Sequence, residues 1–216
     1  MSDVRMISGY VPLAEFAGNV INGVYSVNFD NLPVSQEICA VVSSATEKVV
    51  KEYDKPIEVD AKYGACLSLV GSAAITGDAT ISGYDYLGQA VTEKVTLNGT
   101  TAVSTKKAFK FVDEVSLPTA DGVTVTVTRK LILGLPYRTA KILVETRNGV
   151  VDTTTTLTAP INVAQTISTG DPRGTINLTT YASAANIVLI CIASPEIFTI
   201  DGKKVGGLFG IPHFSM

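Results

Sequence analysis

Apolar and polar positions alternate most regularly between Ala79 and Leu117. Ala79, Ile81 and Gly83 alternate with Thr80, Ser82 and Tyr84. That period of two places successive side chains on opposite faces of a strand. Asp85-Tyr86-Leu87-Gly88 breaks the pattern as a β-turn, with Asp at its first position and Gly at its last. Val91, Glu93, Val95 and Leu97 then share one face, and Thr92, Lys94 and Thr96 the other. Glu93 interrupts an otherwise apolar row. It belongs at a strand end or partly exposed seam, or is paired with a Lys or Arg across a contact. Asn98-Gly99 follows, the strongest hairpin signal in the chain, because a type I′ turn needs positive φ at both central residues. A third run, Ala108 to Leu117, sets Phe109, Phe111, Asp113 and Val115 against Lys110, Val112, Glu114 and Ser116. Strands joined by tight turns are expected to be antiparallel neighbours.

The same pattern recurs along the chain. Val24–Phe29, Ile57–Asp60, Cys66–Val70, Val123–Thr128, Leu131–Tyr137, Ala140–Thr146, Ile187–Ile192 and Glu196–Ile200 read as short strands. Gly134 and Pro136 bend the fifth of these, since Pro cannot donate to a ladder. Asn148-Gly149 ends the sixth, and Asp152–Ala164 reads as a polar edge strand or exposed loop. Ser168–Gly174 is a long turn. Ser35–Tyr53 is ambiguous. Ile38, Val41, Val42, Ala45, Val49 and Tyr53 recur near a helical period, with Ser35 as a cap, yet Ile38–Val42 and Val49-Val50 also suit strands, which the surroundings favour. Turn signals at short, regular spacing predict an all-β fold, a β-sandwich or jelly-roll-like set of antiparallel sheets with extended terminal arms. Residues 1–55 are expected to form an arm packed on a core of 56–216, which ends in the apolar, Gly-rich tail 206–216.

Composition sharpens this picture. The 216-residue chain is 46% hydrophobic and 17% charged, has no Trp and a mean hydropathy of +0.30. Soluble domains carry about 25% charged residues, so extensive burial is expected, some of it against other chains. A net charge of −3 argues against a nucleic-acid partner, and no apolar run reaches the ~20 residues of a membrane-spanning helix. The N-terminus lacks the apolar core of a secretory signal. Cys39, Cys66 and Cys191 show no metal-type spacing and read as reduced, buried residues.

Candidate chemistry is sparse. The one histidine, His213, stands beside Pro212 in the tail, too isolated for a triad. Neither zinc-ligand spacing, a phosphate-binding Gly-rich loop nor a calcium loop occurs. Asp113 and Glu114 alternate faces and cannot converge on one substrate atom. Lys106-Lys107 and Arg129-Lys130 read as solvated edge charges. No catalytic, cofactor or metal residues are therefore expected. The candidate interface residues are the apolar ones of the termini: Tyr10, Phe16, Leu208, Phe209, Ile211 and Phe214.

Five segments carry a resemblance: GYDYLGQAVTEKVTLNG (Gly83–Gly99), KKAFKFVDEVSL (Lys106–Leu117), GLPYR (Gly134–Arg138), TGDPRGT (Thr169–Thr175) and LFGIPHF (Leu208–Phe214). In this order they resemble tailed-bacteriophage virion proteins of the capsid decoration, or cement, type. The first 55 residues carry least of it. The resemblance implies a β-sandwich, a homotrimer, the major capsid protein as partner, and a place on the capsid surface of a virion made in the host cytoplasm. A tail-tube, neck or baseplate component is the alternative virion role. A carbohydrate- or receptor-binding β-module is a third reading, which would call for clustered exposed aromatics.

Overall fold

Alternating Thr/Val runs punctuated by Gly and Asn build a chain of strands and turns. The computed structural model describes residues 5–7, 24–30, 36–161, 163–178, 185–193, 198–200 and 203–205, and contains no helix among them. The strands, in chain order, are β1 (Arg5–Ile7), β2 (Val24–Asp30), β3 (Gln36–Val42), β4 (Val49–Glu58), β5 (Ala65–Gly71) and β6 (Thr76–Tyr84). Then come β7 (Ala90–Asn98), β8 (Val103–Ser104), β9 (Phe111–Leu117), β10 (Thr124–Gly134), β11 (Thr139–Arg147) and β12 (Val150–Asp152). The last are β13 (Thr156–Thr158), β14 (Thr175–Asn177), β15 (Asn186–Ala193), β16 (Phe198–Ile200) and β17 (Lys203–Val205).

The described pairings are all antiparallel. They form a five-stranded sheet in the order β1-β2-β15-β11-β12 and a four-stranded sheet β4-β9-β6-β7. A six-stranded sheet runs β13-β14-β10-β5-β8, with β3 also on β10, and β16-β17 is a separate hairpin. One contiguous core draws on all three larger sheets. Tyr25, Phe29, Ile187 and Leu189 come from the first, Ile81, Val91, Val112 and Leu117 from the second, and Leu67, Leu69, Val125, Val127 and Leu133 from the third. The protein is thus an all-β, sandwich-like arrangement of antiparallel sheets.

Of Ser35–Tyr53, the described residues 36–53 form β3, a short loop and the start of β4, in keeping with their β-branched pairs, and Ser35 lies outside the described residues. Of the segment 1–55, β2 lies between β1 and β15, and β3 pairs with β10. The run Val123–Tyr137 is not two strands: β10 continues from Thr124 to Gly134, pairing with β3 and then β14 on one side and with β5 on the other.

The Ala79–Leu117 stretch departs from simple sequential pairing. The third run, β9, pairs with β6 rather than β7. Asn98-Gly99 is not the central pair of a type I′ turn as expected: Gly99 has φ 58° but Asn98 does not have a positive φ. The tight turn runs from Asn98 to Thr101, closed by the Thr101 N–H on the Asn98 carbonyl at 3.0 Å. The chain leaves it for β8, which joins β5 in the other sheet. A register shift opposite Ser82/Gly83 leaves Asp113 as an extra residue, a bulge that turns both Val112 and Val115 into the core. Gly83 sits at this bulge because an added Cβ would lie 2.0 Å from the Phe111 carbonyl oxygen.

The exposed edge β4 is long but guarded. Lys51, Glu52, Asp54, Lys55 and Pro56 line it, and charge and proline discourage strand addition.

Candidate functional site

Four of the five segments named above meet at one place, where the turn after β6, the loop between β10 and β11 and the loop before β14 converge. It begins with Asp85. One carboxylate oxygen accepts the backbone N–H groups of Leu87 and Gln89, both at 2.8 Å, which folds the turn. The other oxygen accepts Arg173 Nη2 at 2.8 Å, and both side chains are buried. The guanidinium also lies over the Tyr86 ring, 5.1 Å from its centroid. Tyr86 donates its hydroxyl to the Pro136 carbonyl and packs edge-on against Tyr63, with centroids 5.2 Å apart. Burial pushes the Tyr86 phenol up to about 12, against the pull of Arg173.

The loop before β14 is pinned from several sides. Asp171 accepts Arg173 N at 2.9 Å and Ala108 N at 3.0 Å, tying the loop to the chain ahead of β9. Arg138 donates to the carbonyls of Ile161 (2.7 Å) and Pro172 (2.9 Å). Gly174 holds φ at 83°, and an added Cβ there would lie 2.7 Å from the Thr158 carbonyl oxygen. Further along the same loop, Lys107 Nζ donates to Thr92 O (3.0 Å) and Thr166 O (2.6 Å), and the Lys94 N–H donates to Ile167 O at 2.7 Å. The loop 163–171 is thereby strapped along β7.

Glu93 lies beneath that strap. Its carboxylate accepts the N–H of Lys106 (2.8 and 3.0 Å) and of Lys107 (2.8 Å). Burial raises its pKa, opposed by those two amides and the Lys107 charge. Burial likewise lowers the Lys107 pKa, opposed by Glu93 and Asp171.

These charges face inward and are bonded to backbone groups of the converging segments or, for Asp85 and Arg173, also to one another. The arrangement can brace: it fixes irregular segments whose amides and carbonyls have no ladder partner. Among the described residues, no group of three or more His, Cys, Asp or Glu is placed to hold a metal ion.

Two sequence expectations need correction. Glu93 is not at a strand end or exposed seam but buried, its carboxylate accepting the backbone amides of Lys106 and Lys107, and the nearby Lys107 charge is in line with the alternative of a Lys partner across a contact. Lys107 and Arg129 are buried too, not solvated edge charges; Arg129 donates to the Asp60 carbonyl at 3.0 Å. The inward turn of Asp85, Asp171 and Arg173 was legible only as turn chemistry, because Asp and Arg in Gly/Pro-rich loops ordinarily face water. Tyr10, Phe16, Leu208, Phe209, Ile211, His213 and Phe214 lie outside the described residues. The three cysteines are free and buried.

Comparisons with protein-family models, with curated proteins and with solved structures found no match to this chain.

Proposed function

We propose that this chain is a structural protein of a tailed-phage virion, a decoration protein that sits as a homotrimer on the outer surface of the major capsid shell. It would stabilise that shell against internal DNA pressure without catalysis. What supports the reading is the use made of the charged residues in the resembling segments. Asp85, Glu93, Lys107, Arg138, Asp171 and Arg173 are turned inward and lock loops to sheets. A body braced this way transmits load between neighbours instead of yielding at its loops.

The surface left over suits assembly. Val42, Leu87, Val150, Val151, Val163 and Ile167 are exposed, on a chain with few charges. Burying such surface between capsid subunits at ~25 cal/mol per Å² is the whole of the proposed mechanism.

The test compares particles with and without this subunit under heat or chelation. The proposal expects shells lacking it to lose DNA at lower temperature. Equal robustness, or a subunit found only in the tail, would remove the cement role.

A further inference from the structure

Two Asn-Gly pairs stand in turns of this fold, and they are held in opposite ways. Asn148-Gly149 joins β11 to β12, with φ values of 51° and 79°, the two-residue type I′ turn. Both residues are exposed, and a Cβ built on Gly149 would meet nothing within 4 Å. Asn148 Oδ1 accepts the Asn186 N–H at 2.8 Å, and the Asn148 N–H donates to the Asn186 carbonyl at 2.8 Å. Because the group facing it is a donor, the side-chain atom there is the carbonyl oxygen and not the amide nitrogen. Among the described residues, Asn148 Nδ2 and the Gly149 N–H make no hydrogen bond.

At Asn98-Gly99 the roles are reversed. The Gly99 N–H donates to the Ile75 carbonyl at 2.8 Å, and the Thr101 N–H donates to the Asn98 main-chain carbonyl at 3.0 Å. Among the described residues nothing donates to the Asn98 side-chain carbonyl. An amide hydrogen already bonded to a carbonyl is harder to remove, and its nitrogen cannot turn towards the preceding side chain without breaking that bond. One pair thus has a polarised side-chain carbonyl beside an unengaged amide. The other has an engaged amide beside an unpolarised carbonyl.

We propose that Asn148-Gly149 is a site of spontaneous covalent modification, at which Asn148 closes on the Gly149 nitrogen and becomes aspartate and isoaspartate, while the fold protects Asn98-Gly99. Hydroxide takes the Gly149 amide proton. The nitrogen then bonds to Asn148 Cγ, and charge gathers on Oδ1, where the Asn186 N–H already donates. Nδ2 leaves as ammonia, with a proton from water, and a cyclic imide remains. Water opens the imide at Cγ, giving aspartate, or at the Asn148 main-chain carbonyl, giving isoaspartate; nothing is oxidised or reduced. Isoaspartate carries the chain through Cγ and so adds a methylene to a two-residue turn. The closing pair Arg147↔Val150 then loses its geometry, and with it the Arg147–Asp152 contact at 2.6 Å. The reaction needs only the folded chain and water, so it stands or fails apart from the virion reading.

Timed incubation in mildly alkaline buffer tests it, followed by peptide mapping with mass spectrometry, on native protein and on protein unfolded in guanidinium. In native protein, conversion at Asn148 is expected to outrun that at Asn98 about tenfold or more. Isoaspartate at Asn148 is expected to accept a methyl group from S-adenosylmethionine through an isoaspartyl-specific methyltransferase. In unfolded protein, where neither hydrogen bond persists, the two rates should converge. Native Asn148 converting no faster than native Asn98, or not at all, overturns the proposal. So does a difference that persists unchanged in guanidinium, since the flanking residues rather than the fold would then set it.

Discussion

Removal of the Asp85 carboxylate is the sharpest perturbation of the buried junction. Asp85→Ala leaves the Arg173 guanidinium buried without the carboxylate that sits 2.8 Å from it. Breaking one side of a buried pair costs ~3–5 kcal/mol. The same change strips the acceptor from the Leu87 and Gln89 amides, each worth ~1 kcal/mol, although water can reach that partly exposed turn. A loss of ~4 kcal/mol is expected. At ~2–4 °C per kcal/mol for a domain of this size, the melting temperature falls by roughly 8–16 °C. Urea unfolding with unchanged m separates this from a change in the unfolded state. A double-mutant cycle with Arg173→Met then isolates the pair: D85A/R173M should be far less destabilised than the sum of the two singles. Asp78→Asn, which breaks the exposed Asp78–Lys94 pair, serves as the control and should leave the melting temperature where it was. A D85A loss under ~1 kcal/mol, the scale of ordinary surface substitutions, or additive singles, would refute the view that this pair braces the loops.

Gly83→Ala should yield insoluble or unfolded protein, because its Cβ would meet the Phe111 carbonyl oxygen at 2.0 Å; soluble expression with an unchanged melt would contradict the bulge packing. Burial raises the Tyr86 phenol to about 12, so it stays neutral in the native state after an unfolded tyrosine has ionised. Its contribution to stability is full below about pH 10 and lost as pH rises through about 12; phenolate absorbance near neutral-to-alkaline pH should be the same in wild type and Tyr86→Phe until that upper range. Burial also raises Glu93, so wild type gains stability as pH falls through its raised native pKa towards the ordinary carboxylate range. Glu93→Gln should lack that gain, and parallel stability–pH curves for the two proteins would count against it.

Much of the strand inventory is legible in period-two alternation. Val24–Phe29, Cys66–Val70, Ala140–Thr146 and Ile187–Ile192 all fall within strands. Partner choice is not legible, because it depends on contacts remote in sequence. The Asn98-Gly99 signal marks a turn, but the chain beyond it crosses to another sheet. The bulge at Asp113 is equally hidden; a one-residue shift of register changes which side chains are inward without changing composition. Glu93 and Lys107 misled for a related reason. A charged residue on a strand reads as exposed unless its satisfying partners are known, and here those partners are backbone groups of distant segments. The resembling segments contain the residues of the junction, but nothing in their spacing showed that they would meet.

The central claim, a decoration role, is tested most directly by locating the subunit on the particle by electron cryomicroscopy. The account predicts density for this fold on the outer face of the capsid, repeated over the icosahedral lattice. Density confined to tail, neck or baseplate, or none on the particle, would contradict it.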